Sequence, residues 1–241
     1  MTVGVYGLGR FGTFWAELLS RKFKVVAWSR SLEHQIPSAV TRVSLEELFD
    51  ADIVWLCPAI SSLPEVLQEI APLVKPNQVI ADTCSVKVRP AEWMLHYLPS
   101  HARILAAHPM FGPDSAKAGL AGLPIVLYDL RGANAAFEQW SALFSEWELN
   151  VLQMTPDEHD RAAAYTQGIT HYLGRVLDDM GLQPHPIATK GYQRLLDLVQ
   201  QTCNDPFQLF LDMQNLNPYT PQMRAGLQAS LQRIEARLDT P

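Results

Sequence analysis

An α/β fold, a doubly wound sheet followed by a small all-helical domain, is predicted by three features of this sequence. The first is Val3-Gly4-Val5-Tyr6-Gly7-Leu8-Gly9-Arg10-Phe11-Gly12, a short apolar strand that runs directly into G-x-G-x-x-G. The second is the alternation of short β-branched runs with helical stretches from residue 1 to about 153. The third is a change of character after Met154, beyond which only helical spacing is found. Together they predict a Rossmann-type dinucleotide-binding domain over 1–153 and a helical domain for substrate binding and dimerisation over 154–241, with substrate in the cleft between them.

The elements follow in order. Strands are expected at 3–7, 25–29, 52–57, 78–82, 103–107 and 123–128, the sheet being parallel with helices on both faces. In the first turn, Gly7 permits the strand-to-helix reversal, Gly9 lets backbone N–H groups approach a pyrophosphate, and Gly12 lets the helix pack closely. The backbone of Arg10 and Phe11 opens that helix, where unpaired N–H groups and the helix dipole favour an anion. Helical spacing recurs from Ser44 to Phe49, Leu63 to Val74 and Pro90 to Tyr97, and Ser44 with Glu47 makes a capping box. Thr155-Pro156-Asp157-Glu158 is a strong helix start. Helices are then expected at 156–180, 188–203, 205–215 and 219–238, broken by Gly181, Pro184-His185-Pro186 and Asn217-Pro218.

The second strand ends at Ser29-Arg30-Ser31, with Arg30 18 residues beyond Gly12. A carboxylate at this point suits the 2′-hydroxyl of NAD, whereas a guanidinium suits the 2′-phosphate of NADP. No Asp or Glu is present in this triplet, so NADP is expected; the plainer reading of Arg30 is a solvated loop residue. Pro58, after the third strand, is counted with the cofactor residues.

Composition narrows the partners. The chain of 241 residues has a formal net charge of −6 and a pI near 5.6, and its basic residues form no block, which argues against nucleic acid. No apolar run approaches the roughly 18 residues of a membrane span. Cys57, Cys84 and Cys203 are too few and too irregularly spaced for a disulfide scaffold or zinc site, so no metal and a cytoplasmic location are expected.

Three groups of residues are suited to chemistry. Asp82-Thr83-Cys84-Ser85-Val86-Lys87 and Ala107-His108-Pro109-Met110-Phe111-Gly112-Pro113 each lie where a strand ends, the edge at which open α/β sheets bind ligands. The third group lies on the long helix: His159 and Asp160, then Gln167, Thr170 and His171, with Asp160, Gln167 and His171 expected on one face. On the residues alone, His108 also reads as a structural histidine, Ser85 as a helix cap, Gln167 and His171 as partners within a helical interface, and His159 has the weakest claim to a role.

The runs H-P-M-F-G-P (108–113), D-T-C-S-V-K (82–87), E-H-D (158–160) and Q-G-I-T-H (167–171) resemble the prephenate/arogenate dehydrogenases of tyrosine biosynthesis. Ser29-Arg30-Ser31, Thr189-Lys190-Gly191-Tyr192, Leu195-Leu196 and Phe207-Gln208-Leu209-Phe210 look most like the arogenate dehydrogenases of plants. The resemblance covers nearly the whole chain. It implies oxidative decarboxylation of a cyclohexadienyl ring, with arogenate as substrate and prephenate as the alternative. His108 then matches the catalytic histidine, and Ser85 matches the hydroxyl that bonds the same substrate oxygen. Lys87, Asp160, Gln167, Thr170, His171 and Lys190 fall to substrate binding.

One departure stands out. Many bacterial members carry an arginine for the ring carboxylate where this chain has Gln200; Lys190, Arg194 or a second subunit's arginine could replace it, the sequence does not decide between them, and Lys190 is preferred. No regulatory or chorismate mutase domain is expected, and Phe207, Phe210, Leu211 and Leu216 suggest a homodimer. Two rival readings remain open at this point: another NADP-dependent dehydrogenase acting on a hydroxy acid or imine, and a non-catalytic NADP(H)-binding regulator.

Overall fold

The computed structural model describes residues 1–31, 33 and 36–238, so the end of the expected helical domain, 239–241, lies outside the described residues. The first unit, Met1–Pro156, is built on one eight-stranded sheet. Its strands are β1 (Thr2–Tyr6), β2 (Lys24–Trp28), β3 (Val40–Arg42), β4 (Ile53–Leu56), β5 (Val79–Asp82), β6 (Arg103–Pro109), β7 (Pro124–Arg131) and β8 (Asn150–Gln153). The order β3-β2-β1-β4-β5-β6-β7-β8 reverses between β1 and β4, which is the switch point of a doubly wound sheet. Helices α1 (Arg10–Ser20), α2 (Leu45–Leu48), α3 (Leu63–Ile70), α4 (Val88–Tyr97) and α5 (Asn134–Glu146) connect the strands.

Two strands and one direction differ from the sequence reading. β3 and β8 have only three and four residues, too short to show a period, and β8 is not fully buried at any position. β7 runs antiparallel to β6, not parallel, although every other pair is parallel. Between these strands lies a loop with a single 3-10 turn, Ser115–Ala118, and an antiparallel return needs no helical crossover. The expected capping box is present: Glu47 N donates to Ser44 Oγ at 3.1 Å and Ser44 N to Glu47 Oε2 at 2.8 Å.

The core beneath the site is aromatic. Trp55 on β4 meets Trp15 of α1 at 5.3 Å and Trp140 of α5 at 5.0 Å between ring centroids, both edge to face, and all three side chains are fully buried. Such pairs contribute about 0.5–1.5 kcal/mol each beyond their burial. They tie two helices to the strand next to the switch point, so the loops above it stand on a rigid base.

The second unit, Asp157–Pro241, is helical: α6 (Pro156–Ala163, one residue of which precedes the boundary), α7 (Ile169–Asp179), α8 (Lys190–Cys203), α9 (Phe207–Leu216) and α10 (Thr220–Leu238). The long helix expected over 156–180 is interrupted by a π turn at Ala164–Gly168. Gln214 Nε2 donates to the Gly168 carbonyl at 2.9 Å, and a Cβ on Gly168 would stand 3.2 Å from Ala163 O, so the widened turn is held from outside and favours glycine. The one-face spacing expected for Asp160, Gln167 and His171 therefore does not carry through as in an unbroken α-helix. α7 and α8 pack closely where a Cβ on Gly174 would fall 2.0 Å from Thr202 Oγ1. Among the described residues no helix is long and apolar enough to cross a membrane.

Candidate active site

In the first unit the carboxyl ends of β1, β4, β5 and β6 share one edge of the sheet, and the glycine-rich turn lies there. Gly7 has φ +93°, and a Cβ on it would stand 3.1 Å from Cys57 O, against the Cys57-Pro58 segment that follows β4. A Cβ on Gly12 would overlap Gly7 O at 1.9 Å. Both glycines are thus demanded by the protein itself. Gly9 is not: nothing lies within 4 Å of a Cβ placed there. Bare backbone at Gly9 is what close approach of a pyrophosphate requires. Gly9 also caps α1 without a side-chain bond, and the first turn of α1 holds no acid, so its N–H groups and dipole suit an anion. The residues present fit a dinucleotide.

The other expected cofactor residues divide by role. The Arg10 guanidinium pairs with Asp114 of the loop after β6, and the Phe11 ring stacks on Trp15 at 5.7 Å, so what either offers an anion is its backbone N–H. Ser29 is buried, Arg30 exposed, and Ser31 half-buried, its carbonyl taking a bond from Arg42 Nη1 at 3.4 Å. Burial, with a hydrogen bond to Glu69 at 2.9 Å, pushes the Tyr6 hydroxyl up, and the Arg30 charge acts on it in the opposite sense. Tyr6 ends β1 and pairs in register with Trp28, two residues before Arg30.

His108 stands on β6, opposite Val126 of β7, and is 2 % exposed. Beside it a buried lock joins β5 to β6. Asp82 accepts from Cys84 N and Ala107 N, each at 3.1 Å, and pairs with Lys87, whose Nζ also donates to Ala107 O at 2.6 Å. Lys87 is 2 % exposed. It was expected to bind substrate; a buried ammonium with a buried counter-charge instead fixes the strand ends that carry the site. Ser85 is half-buried in the turn between β5 and α4, and among the described residues its hydroxyl makes no hydrogen bond. The cap position of α4 is Lys87, with no side-chain capping bond, so Ser85 is not a helix cap. Burial pushes the Cys57 thiol up to about 12 and the Cys84 thiol well above its ordinary value, which excludes a thiolate nucleophile at neutral pH.

In the second unit Asp160 is fully buried, its Oδ1 2.8 Å from His159 Nδ1, and its carbonyl accepts from Asn217 Nδ2 at 2.8 Å. His159, given the weakest claim from sequence, is therefore the partner of Asp160. Gln167 Oε1 and His171 Nδ1 are buried without a hydrogen-bond partner. Burial pushes the His171 imidazole down; Arg175 adds to the effect and Asp205 opposes it. It is neutral at neutral pH. Thr170 is half-buried, and its hydroxyl makes no hydrogen bond among the described residues. Lys190 is exposed at the start of α8, where Thr189 caps the helix by accepting from Tyr192 N at 3.1 Å. The Thr-Lys-Gly-Tyr segment thus does structural duty at a helix start, an end that disfavours a cation. Arg175, which sequence reading passed over, lies one turn beyond His171, and its Nε is buried without a partner. The signal was its four-residue spacing from His171.

Comparisons with known proteins agree with this fold. A family model described as the nucleotide-binding domain of prephenate dehydrogenase matches residues 26–151, and a model described as TYRAAT1-like, C-terminal domain, matches 176–241. Arogenate dehydrogenase 2 (chloroplastic) of Arabidopsis thaliana is 32% identical over 99% of this chain and 70% of its own length. Arogenate dehydrogenase 1 of the same plant is 31% identical over 99% of this chain, which spans 39% of that relative. Among solved structures, prephenate dehydrogenase of Aquifex aeolicus, in complex with hydroxyphenyl propionate and NAD+, shares the fold with a TM-score of 0.78 at 17% identity, over 99% of this chain and 90% of that one. Synechocystis arogenate dehydrogenase does so with a TM-score of 0.64 at 21% identity, over 99% of this chain and 90% of that one. With a family model over more than half of its residues and a 32% identical relative matched along almost its whole length, the chain belongs to the prephenate dehydrogenase family.

Proposed function

We propose that the chain oxidises arogenate to tyrosine with loss of carbon dioxide, using NADP+. The observation that carries this reading is the meeting, on one sheet edge, of a glycine turn with bare backbone at Gly9 and two neighbouring strand ends bearing His108 and an unengaged Ser85 hydroxyl. The nicotinamide, when bound, accepts the hydride from the ring carbon that bears the hydroxyl. His108 takes the hydroxyl proton, and Ser85 holds the same oxygen by a hydrogen bond. The ring carboxylate then leaves as carbon dioxide, the electron pair of its C–C bond makes the ring aromatic, and His108 returns the proton to the phenolic oxygen. Aromatisation makes the step irreversible, so modest acid–base help suffices.

Arg30, with no carboxylate in its triplet, supports NADP+ over NAD+ through charge-assisted bonds to a 2′-phosphate. In the helical unit Asp160, Gln167, Thr170, His171 and Lys190 are assigned to the substrate. Asp160 acts through its buried charge, which favours the ammonium-bearing arogenate over the keto acid prephenate. A homodimer is supported by apolar side chains left exposed in the helical unit, among them Phe207, Met180 and Ile187, with Phe210, Leu211 and Leu216 half-buried. The three free cysteines suit a reducing compartment such as the cytoplasm.

The test is direct. The purified protein is mixed with arogenate or prephenate and with NADP+ or NAD+, and nicotinamide reduction is followed by its near-ultraviolet absorbance. The fastest rate is expected for arogenate with NADP+; no reduction with either ring substrate refutes the reading.

A further inference from the structure

Gln167, His171 and Arg175 follow one another at four-residue spacing, so they lie along one slowly turning stripe of the helix that runs from the π turn through α7. Six buried side-chain polar atoms lack a hydrogen-bond partner among the described residues, and three of them are on this stripe: Gln167 Oε1, His171 Nδ1 and Arg175 Nε. The other three are scattered through the first unit, on Trp15, Trp55 and Ser141. Buried polar groups are nearly always satisfied, so three successive exceptions on one stripe mark a place kept for a polar ligand.

The stripe also states the ligand's chemistry. Gln167 Oε1 is an acceptor. His171 is held neutral by burial, and a neutral imidazole with its proton on Nε2 presents Nδ1 as a second acceptor. Arg175 supplies a cation whose position is already set: Nη2 donates to Asp205 O at 2.7 Å and Thr202 O at 3.4 Å, and the guanidinium lies over the rings of Phe207 at 5.3 Å and Phe210 at 5.9 Å. Successive members of the stripe are about 6 Å apart along the helix axis. Two acceptors and then a guanidinium fit a group with an ammonium at one end and a carboxylate at the other.

We propose that Gln167, His171 and Arg175 form a subsite for the α-amino acid head group of the substrate, the ammonium donating to Gln167 Oε1 and His171 Nδ1 and the carboxylate accepting from Arg175. The proposal rests on the reading of the chain as an arogenate dehydrogenase and names the part of the substrate that the helical unit grips. It gives Arg175 the side-chain carboxylate, a different group from the ring carboxylate for which the sequence offered Lys190 or Arg194, both of them exposed on α8. It also supplies a second basis for substrate choice, because a keto acid has no N–H to give to the two acceptors.

The test uses three phenols that differ in their head groups, titrated into the NADP+-loaded protein: L-tyrosine, tyramine without the carboxylate, and 3-(4-hydroxyphenyl)propionate without the ammonium. Arg175→Gln is expected to weaken L-tyrosine and the propionate roughly ten- to hundredfold, the range for losing a hydrogen bond to a charged group, and to leave tyramine within about twofold. Gln167→Leu and His171→Phe are expected to do the converse, weakening L-tyrosine and tyramine and sparing the propionate. Arg175→Lys, which keeps the charge, should retain the carboxylate preference with a smaller loss. If Arg175→Gln weakens all three ligands alike, or only lowers the melting temperature, Arg175 is a clamp on the turn between α8 and α9 and the proposal falls. Equal response of all three ligands to Gln167→Leu and His171→Phe overturns the ammonium assignment. Head-group selectivity of this pattern in a protein that does not turn over arogenate refutes the proposed function and leaves the subsite standing.

Discussion

Replacing Lys87 by Met removes the ammonium from the lock between β5 and β6 and leaves Asp82 buried without its counter-charge. Both side chains are almost fully enclosed, at 3% and 1% exposure, so solvent cannot take over. Breaking a buried pair by deleting one partner costs about 3–5 kcal/mol. Asp82 keeps its bonds from Cys84 N and Ala107 N, which points to the lower end, about 3 kcal/mol. At about 2–4 °C per kcal/mol for a unit of this size, the melting temperature of the sheet unit should fall by about 6–12 °C. Because Ala107 precedes His108 and the Lys87 segment follows Ser85, the same change should lower kcat while KM for the ring substrate moves little. Thermal unfolding by calorimetry and steady-state kinetics on the same preparation test both halves. An unchanged melting temperature with a raised KM alone would refute the reasoning and return Lys87 to the substrate.

Other substitutions test the remaining assignments. Arg30→Asp should reverse the preference for NADP+ over NAD+, read as the ratio of kcat/KM for the two cofactors; equal efficiency with both in the unaltered protein counts against Arg30. His108→Asn should lower kcat by roughly 10²- to 10⁴-fold while NADP+ binding, followed by fluorescence, barely changes. Asp160→Asn should shift the arogenate-to-prephenate ratio towards prephenate by removing the buried charge, and a ratio that stays put shows that Asp160 serves only His159. The lowered proton affinity of His171 gives stability that is complete above its ordinary value of 6.5 and is lost as pH falls from there towards the depressed folded value, because the unfolded chain binds the proton first. His171→Phe should flatten that acid limb of a stability–pH profile.

What could be read from the sequence was local. The glycine turn was legible because its demands are set within a few residues: the Gly12 Cβ would strike Gly7 O, and both belong to one motif. The Ser44–Glu47 capping box was legible for the same reason. β3 and β8 were not, because three or four residues carry no periodicity and each strand exists through its neighbour, Val25 to Ala27 in one case and Pro124 to Leu127 in the other. Nor was the π turn, which is stabilised by Gln214 from another helix.

Residue types at the site were legible and their duties were not, and the difference is one of satisfaction. Lys87 and Gln167 are both polar residues in motifs that point to function. The fold gives Lys87 a carboxylate and a carbonyl, which accounts for it as structure; it gives Gln167 Oε1, His171 Nδ1 and Arg175 Nε nothing. The same distinction separates Gly12, whose missing side chain the protein itself requires, from Gly9, whose missing side chain nothing in the protein requires. Whether a polar group is satisfied depends on elements far away in the chain, such as the turn between α8 and α9 that fixes Arg175. A folded chain that leaves buried donors and acceptors unmatched gives up stability, and a ligand that restores the match returns it. The unsatisfied groups are therefore the better guide to what the protein binds, and they come into view only after the chain has folded.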